Sequence, residues 1–279
     1  MKIDAHQHFW KYSPHEYGWI DPTWTQLKQD RLPEHLAPLL YEARLDGTVA
    51  VQARQTLQET AWLLQLADEY AFIKGVVGWV DLCSPDVDAQ LRRFAGHPKF
   101  KGVRHVVQDE PDDDFMLRSD FQRGLSLLAE YGLTYDILIF PRHLPVAVQL
   151  VERFPEQPFV LDHLAKPFIR DGLLEPWAGY IRQLARHPNV YCKVSGMVTE
   201  ADWHGWQPQD FGPYLDVVFD AFGCDRLMFG SDWPVCTLAA TYGQVRDVVA
   251  DYASSLSAQE QAALWGETAL RFYGLEKMP

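Results

Sequence analysis

Eight short runs of apolar and β-branched residues recur along the chain, and none follows its predecessor through a two-residue turn. They read "KIDAHQHF", "GTVAVQA", "KGVVGWVDL", "FKGVRHVV", "GLTYDIL", "PFVLDHLA", "NVYCKVSGM" and "DRLMFGSDW". The segments between them are long enough for the dozen or more residues of a parallel crossover, so the rhythm is strand, helix, strand rather than hairpin. "TAWLLQLADEYA" and "FQRGLSLLAEYG" carry apolar residues at three- and four-residue spacing, as helices laid on such a sheet require. "PRHLPVAVQLVERFP" fits the same pattern less cleanly. Eight such units in 279 residues match a closed (β/α)8 TIM barrel, a single α/β domain. An open doubly wound sheet has fewer strands and a Gly-rich first turn, whereas the first run here leads into "HFWKYSPHEYGWIDPTW".

No linker, low-complexity tract or fixed-period repeat divides residues 1–279. The aromatic, Pro-bearing connection at 9–30 is unusually long, and long βα loops tend to carry function. A helical extension at about 257–274, "LSAQEQAALWGETALRFYGL", is expected to close the barrel's outside, with Gly274 as its stop.

A formal charge of −13 and a pI near 5.1 argue against a phosphate-binding surface, so no nucleic-acid partner is expected. No window approaches the roughly 18 apolar residues of a membrane span, and no leader pattern opens the chain; a cytoplasmic protein without membrane partners is expected. Cys83, Cys192, Cys224 and Cys236 are far apart with no C-x-x-C pair and read as reduced, structural thiols. Cys192, in an apolar run, reads as a small core hydrophobe. Oligomeric state is not encoded in any of these features.

The opening "MKIDAHQHFW" places two histidines one residue apart at the end of the first run. Side chains alternate across a strand, so Asp4, His6 and His8 are expected to share one face and Ile3, Ala5 and Gln7 the other. In a barrel the pair lies at the carboxyl end of strand one, where active sites of this architecture collect, and two imidazoles there can converge on one cation. "GVRH" ends the fourth run with Arg104 and His105, "VLDHLAKP" the sixth with Asp162 and His163, and "GSDWP" the eighth with Asp232. A purely structural core would fill these positions with Val, Ile and Leu. Only one of Arg104 and His105 faces inward in a regular strand, and Arg104 is favoured as an oxyanion or hydroxyl contact, with His105 joining it past the strand's end as a substrate-binding residue. Tyr135 is in phase with Leu133 and Ile137 and reads equally as core or as a substrate hydrogen bonder. Lys166 reads equally as a cap or ion-pair partner and as a ligand contact. Among Trp10, Tyr17, Trp24 and Trp233, the last is the best candidate to touch substrate because it adjoins Asp232. "PDDDF", residues 111–115, reads as a solvated helix start.

Together "DAHQHFW", "GVRH", "DHLAKP" and "GSDWPV" resemble the amidohydrolase superfamily, in particular its sugar lactonase branch, and nearly the full length matches in organisation. The resemblance implies hydrolysis of a small-molecule lactone such as L-fuconolactone or L-rhamnonolactone. It implies that His6 and His8 correspond to the strand-one pair, His163 to the strand-six histidine, and Asp232 to the aspartate that handles the proton of the attacking water. Metal-rich relatives place a bridging Lys or Glu on strand four and a His on strand five, where this chain has Arg104 and His105, then Tyr135 and Asp136. A single divalent ion, zinc, held by His6, His8, His163 and Asp232 is therefore expected, and the branch includes likenesses to enzymes that work without metal. Pyrone-dicarboxylate lactonase or metal-dependent decarboxylase chemistry on the same scaffold, and a non-catalytic metabolite-binding barrel, are the alternatives.

Overall fold

A computed structural model describes residues 1–276. Eight parallel strands follow one another in sheet order: β1 Ile3–Gln7, β2 Gly47–Val51, β3 Ile73–Gly78, β4 Phe100–Val106, β5 Thr134–Leu138, β6 Phe159–Leu161, β7 Val190–Val194 and β8 Leu227–Phe229. Each of the eight runs in the sequence supplies one of them. The crossover helices are α1 Pro33–Ala43, α2 Leu57–Glu69, α3 Val87–Ala95, α4 Ser119–Leu128, α5 Leu144–Arg153, α6 Trp177–Ala185 and α7 Gly212–Phe222. After β8 come α8 Tyr242–Ala253, α9 Ala258–Ala262 and α10 Thr268–Phe272. Short-range chemistry starts several of these: the Thr56 hydroxyl accepts the Glu59 N–H at 3.2 Å, and Thr241 does the same for Gln244.

The ring closes between β8 and β1, where the Asp232 N–H donates to the His6 carbonyl at 2.8 Å and the His8 N–H to the Trp233 carbonyl at 2.7 Å. The architecture is the (β/α)8 barrel that the sequence rhythm requires.

Alternation along the strands sorts the apolar side chains into two layers. Val103, Ile137, Leu161, Cys192 and Phe229 pack outward against helix residues such as Leu63, Leu125, Leu150 and Val218. Ile3, Ala5, Val49, Val51, Val77, Val160 and Met228 form a second, separate cluster inside the ring. That inner cluster is completed by Ala269, Leu270, Phe272, Tyr273 and Leu275. The terminal segment thus does more than cover the outside, as expected from its pattern. Trp265 does pack on the outward Phe229, but the chain then turns under the strands. Lys101 Nζ donates to the Gly274 carbonyl at 2.9 Å, and Leu275 lies against Gly75, both at the starts of their strands. Residues 269–275 are the floor of the barrel, and burial of each of their large side chains contributes about 1.5–3 kcal/mol.

β1 departs from the regular alternation read from sequence. Its pairing with β2 steps from Asp4 opposite Thr48 to Gln7 opposite Ala50, three residues against two, which is a bulge. Asp4 consequently does not share a face with His6. Its carboxylate accepts the Ser231 N–H at 2.9 Å, the Tyr242 hydroxyl of α8 at 2.9 Å and the His6 N–H at 3.1 Å. Burial pushes the Asp4 carboxyl up to about 6 against those three donors.

Candidate active site

Four donor atoms meet at the carboxyl end of the barrel. His6 Nε2 lies 3.2 Å from His8 Nε2, and Asp232 Oδ1 lies 3.3 Å from His8 Nε2, 3.7 Å from His163 Nε2 and 3.9 Å from His6 Nε2. All four residues are buried. The second nitrogen of each ring is held from behind. His8 Nδ1 is 2.9 Å from the Val51 carbonyl, which only accepts, so that nitrogen carries the proton and Nε2 presents a lone pair to the centre. His163 Nδ1 meets Ser195 Oγ at 2.8 Å, and His6 Nδ1 lies 3.3 Å from Asp162 Oδ1 and 3.1 Å from Lys193 Nζ.

Unusual backbone puts two of these groups in place. His163, Leu164, Ala165 and Lys166 all adopt left-handed conformations, with φ of 54°, 55°, 58° and 52°, and Asp232 has φ of 56°. Each such residue costs about 1–2 kcal/mol, a cost the surrounding fold must offset. Gly196, also left-handed at φ 64°, lies so close to His163 that a Cβ there would fall 2.5 Å from Nδ1.

The arrangement fits a divalent cation. A tetrahedral ion with bonds of about 2.1 Å has donor-to-donor edges of about 3.4 Å, and the edges among His6, His8 and Asp232, 3.2, 3.3 and 3.9 Å, lie around that value, with His163 beside this triad at 3.7 Å from Asp232. Imidazole nitrogens facing one another and a carboxylate across a dry space, each oriented by a partner on its far side, are the donor chemistry that zinc takes. Burial drives His6 and His163 well below the ordinary imidazole value, so both rings are neutral. Burial raises the Asp232 carboxyl, but His163, His8 and Lys166 outweigh it, and the group titrates below the usual carboxylate range.

Beneath this centre lies a buried charged layer, of which the sequence reading assigned Arg104 to the site but not Lys193, Asp136 or Tyr273. Lys193 Nζ sits 2.5 Å from Asp136 Oδ2 and 3.0 Å from Asp162 Oδ1. Arg104 Nη1 is 3.1 Å from Asp162 Oδ2 and 3.3 Å from His6 Nε2, while Nη2 donates to the Gln52 carbonyl. The Tyr273 hydroxyl rises from the floor to donate to Asp136 Oδ2 at 2.8 Å. Burial would raise the Asp162 carboxyl, yet Lys193, His6 and Arg104 hold it well below the usual range, whereas Asp136, with less compensation, is pushed up. The available signal was a lysine in the apolar run "VYCKV", in phase with Ser195.

Arg104, His6, His8, His163 and Asp232 are brought together; three other candidates are not. Inward Arg104 and Asp136 force their strand neighbours outward. His105 therefore stacks on Phe115 with centroids 4.7 Å apart and bonds Glu110 at 2.6 Å. Tyr135 lies between Phe121 and Phe159 in the helix-facing core. Trp233, although next to Asp232, turns its ring against Phe9 under the Arg31 guanidinium and is buried. These three side chains do not face the centre, which corrects their assignment to substrate binding. Lys166 stands at the rim, 4.0 Å from Glu200. In the long first loop, Trp10 is buried and its Nε1 donates to the Gln29 carbonyl at 2.9 Å, while Trp24 faces Trp203 with centroids 5.8 Å apart. Among the described residues no helix is long and apolar enough to cross a membrane.

Comparison with known proteins places this geometry among relatives. A family model described as "Amidohydrolase" matches residues 3–275. A Burkholderia multivorans protein named L-fucono-1,5-lactonase is 44% identical over 286 residues, covering 99% of this chain and 96% of that protein. A Burkholderia ambifaria protein of the same name is 38% identical, covering 99% and 97%. The crystal structure of a Burkholderia multivorans amidohydrolase with bound zinc superposes with a TM-score of 0.95 at 45% identity, covering 99% of this chain and all of that one.

Proposed function

The chain belongs to the amidohydrolase family, and from that premise we propose that it hydrolyses a sugar-derived lactone, L-fucono-1,5-lactone or a related L-sugar lactone, to the open hydroxy acid. The observation that carries this reading is the convergence of the His6 and His8 imidazoles and the ionised Asp232 carboxylate, with His163 beside that carboxylate, at the barrel mouth.

Asp232 is the base. Its carboxylate stays ionised despite burial, so it takes the proton of a water that attacks the lactone carbonyl. The Arg104 guanidinium, fixed by Asp162 and Gln52 behind the imidazole cluster, supplies positive potential to the tetrahedral oxyanion. His163, locked by Ser195 and the left-handed turn, holds Asp232 in register. The proton on Asp232 then passes to the departing ring oxygen. A zinc ion held by His6, His8 and Asp232, beside His163, would add Lewis-acid polarisation of the carbonyl and ease ionisation of water. A cyclic ester is electrophilic enough that a carboxylate base and cationic donors carry much of this chemistry, whereas an amide would demand more.

Acid release in weak buffer from a panel of aldonolactones tests the reading, after subtraction of spontaneous opening. Asp232→Asn is expected to lower turnover by about 10²–10⁴-fold with the fold intact by circular dichroism. Chelation separates a required cation from an auxiliary one. Release of CO₂ from an aromatic acid or dicarboxylate would replace hydrolysis with lyase chemistry, and tight lactone binding without turnover would make the barrel a binding protein.

A further inference from the structure

A groove of about 500 Å³ is lined by Phe168, Arg170, Thr199, Glu200, Trp203 and His204, and its Glu200 lies 4.0 Å from Lys166, at the end of the left-handed turn that begins with His163. We propose that it receives the hydroxyl-bearing side of the substrate, with Lys166 and Glu200 as the residues that recognise hydroxyl groups and so set specificity. The proposal rests on the lactonase reading and deepens it.

The groove is tied to the centre through its walls. Gly196 lies against the His163 ring, and the chain runs from there through Thr199 and Glu200 to Trp203, forming one wall. That wall is fixed by its own hydrogen bonds. The Thr199 hydroxyl donates to the Gly196 carbonyl at 3.0 Å, Trp203 Nε1 to the Thr199 carbonyl at 2.8 Å, and the Arg170 N–H to the Glu200 carbonyl at 3.0 Å. The other wall, Phe168 and Arg170, follows directly on the left-handed turn that runs from His163 to Lys166. Both walls therefore lead back along the chain to the His163 imidazole.

Lys166 Nζ and Glu200 Oε1 are 4.0 Å apart, too far for a direct hydrogen bond, and their side chains are 19% and 22% exposed. An ammonium with free donors facing a carboxylate with free lone pairs is complementary to a hydroxyl, which accepts from one and donates to the other at about 2.8 Å. Burial raises the Glu200 carboxyl, and Lys166 offsets part of that rise. Phe168, 46% exposed, and the part-buried Trp203 offer ring surface to the C–H faces that a sugar ring presents between its hydroxyls. Trp24 of the long first loop backs Trp203, which gives that loop a part in shaping the groove.

Two lactones separate recognition from chemistry: L-fucono-1,5-lactone and unsubstituted δ-valerolactone, which has the same ring size and no hydroxyls. In Glu200→Gln and Lys166→Met the loss of kcat/KM is expected to be ten- to a hundredfold greater for the hydroxylated lactone, and to lie mainly in KM. Equal losses on both substrates, or none on the hydroxylated one, would overturn the proposal. Calorimetric titration with L-fuconate and with 5-hydroxypentanoate gives a readout independent of turnover. The wild-type protein is expected to bind L-fuconate at least tenfold more tightly, and Glu200→Gln to erase most of that difference. A protein that prefers L-fuconate but opens no lactone refutes the parent reading alone, and one that opens lactones without that preference refutes the groove alone.

Discussion

Lys193→Met tests whether the charged layer under the centre is held by one ammonium. Lys193 Nζ lies 2.5 Å from Asp136, 3.0 Å from Asp162 and 3.1 Å from His6 Nδ1, with no solvent at any of them. Methionine keeps most of the stem's volume and deletes the charge, leaving two carboxylates in a dry layer with Arg104 paired to only one. Removing one partner of a buried pair costs about 3–5 kcal/mol. At about 2–4 °C per kcal/mol for a domain of this class, melting should fall by roughly 6–20 °C near pH 8. Asp136 already titrates near 6 with Lys193 present, raised from 3.8 by burial, and loses its main compensation in the variant. A carboxyl whose native pKa lies above its unfolded value binds its proton more tightly in the native state. The resulting destabilisation is absent below the unfolded pKa, grows as pH rises toward the native pKa, and is constant above it. The deficit should therefore shrink as pH is lowered from about 8 to about 5. Calorimetric melting of both proteins across that range, in chelator, checks the expectation. A variant melting within about 2 °C of wild type near pH 8, or a deficit that grows on acidification, would refute the reasoning.

Two further expectations concern residues away from the ammonium. Glu59, buried at the start of α2, accepts the Ala53 and Arg54 N–H groups at 2.9 and 2.6 Å, and burial pushes its carboxyl from 4.5 up to about 7. Because that native value is raised, wild-type stability relative to Glu59→Gln should fall by about 3 kcal/mol as pH rises across this interval, and parallel urea-unfolding curves would contradict it. Gly196→Ala combines a strained φ with a Cβ 2.5 Å from His163 Nδ1, so the His163–Ser195 bond must give way. Turnover should drop roughly ten- to a hundredfold, corresponding to strain of about 1–3 kcal/mol, and activity within twofold of wild type would show that the imidazole tolerates displacement.

The residues legible in the sequence were those whose type and position both stand out: two histidines at one strand end, a third before "LAKP", an aspartate before "WP". Strand count and parallel connection followed from spacing alone. What escaped depended on backbone detail. The bulge in β1 turns Asp4 away from His6, and no residue in "IDAHQ" announces it. The phase of β4 and β5 decided the fate of His105 and Tyr135, since a single-residue shift exchanges inside for outside. Lys193 and Asp136 sit within apolar runs where a charge reads as an exception until its partners, 57 positions apart in the chain, are seen together. Apolar periodicity in the last helices told which residues would be buried, but not that they would be buried beneath the ring.

That the Tyr273 hydroxyl reaches Asp136 has a consequence for how the enzyme comes into being. β1 supplies the histidine pair, yet the layer that steadies those rings is unsupported until the turn after α10 has tucked in under the strands. Removing that turn should silence the mouth from the opposite pole while leaving every residue there untouched.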